Sequence, residues 1–244
     1  MDINEKKALI KINSAYILKT DWIINLLNSF KPEQILEMSP EDISFEGSIS
    51  LEKAKKFKEI ISRLDPDKEL LKAEKSDIRI ICYGEDGYPA DFKNLQEPPI
   101  AFYIKGSFND KLSLSVVGTR RPTEYGKKMA IDICSKIARG GINIVSGLAR
   151  GIDTLAHKTA IKYGGFTYAI TGSGLDNVYP PENKKLFEDI AENGALISEY
   201  PFGTNPLPYN FPRRNRLISA LSWGTFVVEG DYNSGAIITA KYAI

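Results

Sequence analysis

Leu114-Ser115-Val116-Val117-Gly118-Thr119-Arg120-Arg121-Pro122-Thr123 decides the fold. Its first four residues form a short, nearly continuous apolar run, the signature of a strand covered on both faces. Gly118 opens a turn, and helical spacing takes over near Tyr125–Arg139. Working outward, further β-rich runs lie at Ile78–Tyr83, Ala101–Ile104, Ile142–Ser146, Thr167–Ile170, Ala195–Ser198 and Thr225–Glu229. Helical stretches fall between several of them, near Ile152–Tyr163, Lys184–Asn193 and Asn215–Leu221. Strands alternating with helices predict an α/β fold with a mostly parallel sheet and helices on both faces.

Upstream the pattern differs. Residues 1–76 read as a small all-helical domain, with apolar residues at helical spacing in Ala15, Ile17, Leu18, Trp22, Ile23, Leu26, Leu27 and Phe30. Ser39-Pro40-Glu41-Asp42 is a helix start, and a further helix runs from Leu51 to about Leu64 before Asp65-Pro66. Residues 77–110 form a connector with short strands, rich in glycine and proline (Gly84, Gly87, Pro89, Pro98, Pro99), and residues 111–244 carry the main α/β domain.

Ligands of a parallel sheet bind beyond the carboxyl ends of its strands. Four such ends open into small-residue turns: Gly118-Thr119-Arg120, Ser146-Gly147, Gly172-Ser173-Gly174, and Glu229-Gly230-Asp231-Tyr232-Asn233-Ser234-Gly235. Glycine permits close backbone approach, and the N–H groups of a following helix attract anions. A shared phosphate-binding edge is the expectation. None of the turns is a dinucleotide fingerprint, since Asn177 stands where the third glycine should follow Gly172-Ser173-Gly174, and no Walker lysine motif is present.

Charge points to the same half. Residues 1–110 hold 16 Lys and Arg against 20 Asp and Glu, whereas residues 111–244 hold 16 against 11. The densest basic element is Phe211-Pro212-Arg213-Arg214-Asn215-Arg216, whose arginines are expected to fan from a helix start and meet Arg120 at one rim. Phe211 is placed to stack a base. Arg120→Ala and Arg214→Ala are each expected to weaken binding and leave folding intact. Glu229, Asp231 and Asp153 read as capping or pairing groups. His157, the one histidine, reads as a buried structural residue, and Ser146 and Ser234 lack an adjacent base.

Cys82 and Cys134 are the only cysteines, which excludes a disulfide scaffold and a cysteine-only zinc site. No apolar run approaches the roughly 18–20 residues that span a bilayer, and Met1–Lys7 contains no apolar signal core. The expectation is a cytoplasmic protein with no membrane insertion, metal, cofactor or catalytic residue.

These motifs resemble the DNA-processing protein A (DprA, or Smf) family of natural-transformation factors. The likeness is carried by Val117-Gly118-Thr119-Arg120, Ser146-Gly147-Leu148-Ala149-Arg150-Gly151-Ile152-Asp153, Ala156-His157, Gly172-Ser173-Gly174-Leu175-Asp176, Tyr179-Pro180, Ser198-Glu199-Tyr200-Pro201, Phe211-Pro212-Arg213-Arg214-Asn215-Arg216, Val228-Glu229, and Ser234-Gly235 with Thr239. The resemblance implies an extended Rossmann-like sheet and an N-terminal sterile-alpha-motif-like or helix-hairpin-helix-like appendage. It implies a homodimer that binds single-stranded DNA, protects incoming strands and helps load the RecA recombinase. The implied binding residues are Gly118, Thr119, Arg120, Ser146, Gly147, Gly172, Ser173, Gly174, Phe211, Arg213, Arg214, Asn215, Arg216, Ser234, Gly235 and Thr239. Family members usually continue beyond the point matching Ile244, so the main domain is expected to be C-terminally truncated. The alternatives are a nucleotide-binding sensor or a nucleotide-processing enzyme of a related Rossmann-like fold.

Overall fold

A computed structural model of the chain describes residues 1–231 and 234–242. Tyr232 and Asn233 of the last glycine turn, and Ile244 of the final helical stretch, lie outside the described residues. The chain divides into two compact units, residues 1–103 with 199–201 and residues 104–198 with 202–244.

The first unit is built mainly from six helices, Ile3–Asn13 (α1), Asp21–Ser29 (α2), Pro32–Glu37 (α3), Pro40–Glu46 (α4), Leu51–Arg63 (α5) and Pro66–Lys75 (α6). Their starts follow from local chemistry. Ser39 accepts from the Asp42 N–H, Ser50 from Lys53 and Asp65 from Asp67 and Lys68, each satisfying amides that the first helical turn leaves unpaired. Pro40 and Pro66 occupy positions where a missing N–H costs nothing. Leu9, Ile12, Ile23, Leu26, Ile35, Ile43 and Phe57 are buried, and the Trp22 and Phe57 rings meet edge to face at 5.1 Å. The strands Arg79–Cys82 (β1) and Ala101–Gly106 (β2) flank the short helix Ala90–Lys93 (α7), with β2 running on into the second unit. Buried Asn13 joins separate segments: its side chain accepts from Ala101 N at 3.1 Å and donates to Glu199 O at 3.0 Å.

In the second unit, strands Ser113–Val117 (β3), Asn143–Ser146 (β4), Thr167–Ile170 (β5), Gly194–Ser198 (β6) and Thr225–Val227 (β7) are all parallel, in the order β6-β5-β4-β3-β7. Helices Glu124–Arg139 (α8), Ile152–Lys162 (α9) and Lys184–Glu192 (α10) connect β3 through β6, with α9 packed between α8 and α10. The chain then reverses through Asn210–Ala220 (α11) and adds β7 on the far side of β3, before Gly235–Lys241 (α12). Crossovers of one hand running in opposite directions put α11 on the face opposite α8–α10. This is the expected α/β architecture. Val116, Cys134, Ile144, Ile152, Ala156 and Ala160 form the core between β3, β4, α8 and α9.

One element departs from its reading. The helix expected from Asn215 begins five residues earlier, at Asn210. Pro212 falls in its first turn, where a proline is tolerated because the amide has no helical partner. The arginines therefore do not fan from the helix start. Arg214, Asn215 and Arg216 sit in the second turn with their side chains buried. Among the described residues, no helix is long and apolar enough to cross a membrane.

Candidate functional site

Strand order fixes where a ligand can sit. Successive strands from β3 to β6 march one way, and β7 lies on the other side of β3, so the topological switch point lies between β3 and β7. The crevice beyond the carboxyl ends of those strands is the standard binding position of such sheets. A cavity of about 460 Å³ opens there, within the second unit. Its walls are the β3 turn (Gly118, Thr119, Arg120), the α11 residues Phe211, Arg214 and Asn215, and the α12 start (Ser234, Gly235, Thr239).

Arg120 is exposed and makes no ion pair among the described residues. Its guanidinium lies 5.7 Å from the centre of the Phe211 ring, within cation–π range. Phe211 is half-buried. The ring is seated on Gly172, where a Cβ would stand 2.8 Å from it.

Arg214 does something else. It is 4% exposed. Its Nη1 donates to Gly147 O at 2.7 Å and also to Ile170 O, so one guanidinium ties the ends of β4 and β5. A Cβ on Gly147 would come within 2.5 Å of that group. Beneath it, Asp153 accepts from Gly147 N at 3.1 Å and Ala149 N at 3.4 Å, folding the β4 turn onto the first turn of α9. Burial pushes the Asp153 carboxyl up, against the pull of the Arg214 charge and these N–H groups. His157 is fully buried, with Nδ1 at 2.7 Å from Thr167 Oγ1. Burial first, and the Arg214 charge second, push its imidazole down to about 3, so it is neutral at physiological pH.

The other expected residues divide between the cavity and the scaffold. Asn215 Nδ2 donates to Gly235 O at 3.1 Å, and Thr239 Oγ1 to the same oxygen at 3.2 Å, binding α11 to the start of α12. Ser146 Oγ donates across to Val116 O of β3 at 2.6 Å and Ser173 Oγ to Asn177 O within its own turn at 2.7 Å, so both hydroxyls are engaged by backbone carbonyls. Ser146, Ser173, Gly174, Arg213 and Arg216 do not line this cavity. Arg216 Nη1 donates to Arg213 O at 3.0 Å. Glu229 caps α8: its Oε2 accepts from Thr123 N at 3.0 Å and from Thr123 Oγ1 at 3.3 Å.

Two aromatic and cationic neighbours were missed by the reading of the sequence. Tyr179 lies 5.6 Å from Phe211, centre to centre, and Arg150 lies 5.8 Å over the Tyr179 ring. Both stand in the stretches Ser146–Asp153 and Tyr179-Pro180. Their position along the chain gives no sign that they meet Phe211, which follows 32 and 61 residues later.

A family model described as DNA recombination-mediator protein A matches residues 79–244. Protein Smf of Synechocystis is 39% identical over 188 residues, covering 75% of this chain and 47% of that protein. The chain spans about half the length of the first curated relatives it matches. The X-ray structure of DNA processing protein A from Streptococcus pneumoniae superposes with a TM-score of 0.81 at 32% identity, covering 100% of this chain and 84% of that one. DNA processing protein A from Helicobacter pylori, whose structure is described as giving insight into its unique single-stranded DNA binding mode, matches at a TM-score of 0.62 and 33% identity, over 68% of this chain and 75% of that one.

Proposed function

The chain belongs to the DNA recombination-mediator protein A family, and from that premise we propose that the switch-point cavity binds single-stranded DNA. The observation that carries this reading is the pairing of exposed Arg120 with the Phe211 ring at the rim of the cavity. A cation beside a flat apolar face suits a phosphate and its unpaired base together. Duplex DNA offers the phosphate but keeps its base faces stacked. The Helicobacter pylori relative described for single-stranded DNA binding supports the same reading.

In this reading Arg120 meets the backbone, Phe211 stacks a base, and the backbone of Gly118, Thr119, Ser234 and Gly235 lines the cavity walls. Arg214, Asn215 and Thr239 hold those elements in place. Contacts of this kind carry little base information, so sequence preference is weak. The protein acts as a recombination mediator, not an enzyme: a cytoplasmic homodimer that shields incoming single strands during natural transformation and helps load RecA onto them. Membership in the family supports that wider role.

The test is fluorescence anisotropy with a labelled 15-mer oligothymidine and a duplex of equal length across a salt series. Binding to the single strand is expected to exceed binding to the duplex. Its affinity should fall with salt, with a log–log slope of about 0.7 per phosphate neutralised. Phe211→Ala is expected to weaken the single-strand complex by about 1–3 kcal/mol. Equal or tighter binding of the duplex, or an unaffected Phe211→Ala protein, defeats the assignment.

A further inference from the structure

Beside the main cavity lies a recess of about 10 Å³, large enough for little more than a water molecule. Arg120, Ala149 and Phe211 line both spaces. Its other walls include Tyr179 and Arg150. The Phe211 and Tyr179 rings are thus consecutive, 5.6 Å apart and tilted by 44°, with a guanidinium over each: Arg120 at 5.7 Å and Arg150 at 5.8 Å. The two pairs repeat one motif.

Arg150 differs from Arg120 in being engaged. Its Nη2 donates to Glu182 Oε2 at 3.1 Å and its Nε to Glu182 Oε1 at 2.5 Å. The side chains are 46% and 53% exposed. An ion pair this exposed contributes little and exchanges readily for another anion. A strand phosphate arriving beside Tyr179 offers two non-bridging oxygens, a bidentate partner for the same fork.

We propose that Tyr179 and Arg150 form a second nucleotide subsite, in which Tyr179 stacks the base next to the one on Phe211 and Arg150 leaves Glu182 to pair with its phosphate. The proposal rests on the single-strand reading above. Successive bases on successive rings is how sequence-tolerant proteins track an unpaired strand. Glu182 keeps Arg150 folded over the recess until DNA displaces it.

The experiment uses the full chain, the 15-mer oligothymidine, anisotropy across salt, and a circular dichroism melt of each variant. Tyr179→Ala is expected to weaken binding roughly 5- to 100-fold, and Tyr179→Phe, which keeps the ring, to recover most of that loss. Arg150→Gln should flatten the salt slope by about 0.7, one phosphate's worth. Glu182→Gln should tighten binding roughly 1.5- to 5-fold, because the competing ion pair is gone. If Tyr179→Ala melts early, the exposed pair Arg150→Gln and Glu182→Gln decides. The subsite is overturned if Tyr179→Ala and Arg150→Gln bind within twofold of the parent with an unchanged slope while Phe211→Ala is weakened. It is also overturned if Glu182→Gln binds no more tightly. Should Phe211→Ala have no effect, the single-strand reading itself falls, and the subsite with it.

Discussion

Replacing Arg214 by alanine separates a residue that holds the site from one that touches the ligand. Arg214 is 4% exposed and bonds to the carbonyls of Gly147 and Ile170. Truncation strands two buried acceptors, each costing about 1–3 kcal/mol. It also removes the positive charge that opposes the burial of Asp153, and breaking such a buried arrangement costs about 3–5 kcal/mol. These contributions belong to one network and do not add, so the net loss is about 3–5 kcal/mol. For a chain of this size each kcal/mol lowers Tm by about 2–4 °C, which gives a drop of roughly 6–20 °C. Among the described residues Arg120 is exposed and its guanidinium stacks on Phe211 alone, so Arg120→Ala should stay within about 0.5 kcal/mol of the parent. Calorimetric melts and anisotropy on the same samples give the comparison. The expected pattern is a large Tm drop for Arg214→Ala and, for Arg120→Ala, weaker binding at an unchanged Tm. An Arg214→Ala protein that melts within about 2 °C of the parent would refute the strut. Arg120→Ala as unstable as Arg214→Ala would refute the division of labour.

His157 gives a pH prediction. Its pKa is about 3 when folded against an ordinary 6.5, so the folded state binds fewer protons between those values and stability falls as pH drops through that window. The loss is about 1.4 kcal/mol per pH unit, or about 2 kcal/mol from pH 6.5 to 5. The ring resonance of this single histidine should not titrate above pH 5, and a midpoint near 6.5 would contradict the burial. Gly172→Ala puts a methyl 2.8 Å from the Phe211 ring. It is expected to cost about 1–3 kcal/mol of stability and to weaken oligothymidine binding, as read by melt and anisotropy together.

The fold was legible because its signals are local. An apolar run such as Leu114–Val117 followed by Gly118 and a helical period needs no knowledge of the rest of the chain. The strand ends were legible for the same reason, since parallel sheets put their turns on one edge. What the sequence could not supply was the direction of each side chain within the Phe211–Arg216 stretch. Three arginines in four residues read as one basic cluster, but a helix turns each residue about 100° from the last. Starting α11 at Asn210 rather than Asn215 buries the Arg214 guanidinium against the carbonyls of Gly147 and Ile170 in the cavity wall and leaves Phe211 half-exposed at the same cavity. A helix boundary misplaced by five residues therefore hides the structural hydrogen bonds that Arg214 makes. The Arg120–Phe211 contact does not depend on the helix start, because sheet topology carries the β3 turn and α11 to the switch point wherever the helix begins. Tyr179 is noticed as a motif residue but not as a site residue, for the converse reason: its partners Phe211 and Arg150 are fixed by the order of strands in space, and nothing in its immediate neighbourhood announces them. Residues whose role is set by topology can be read once the strand order is inferred, while those whose role is set by helical phase require the helix start to within one residue.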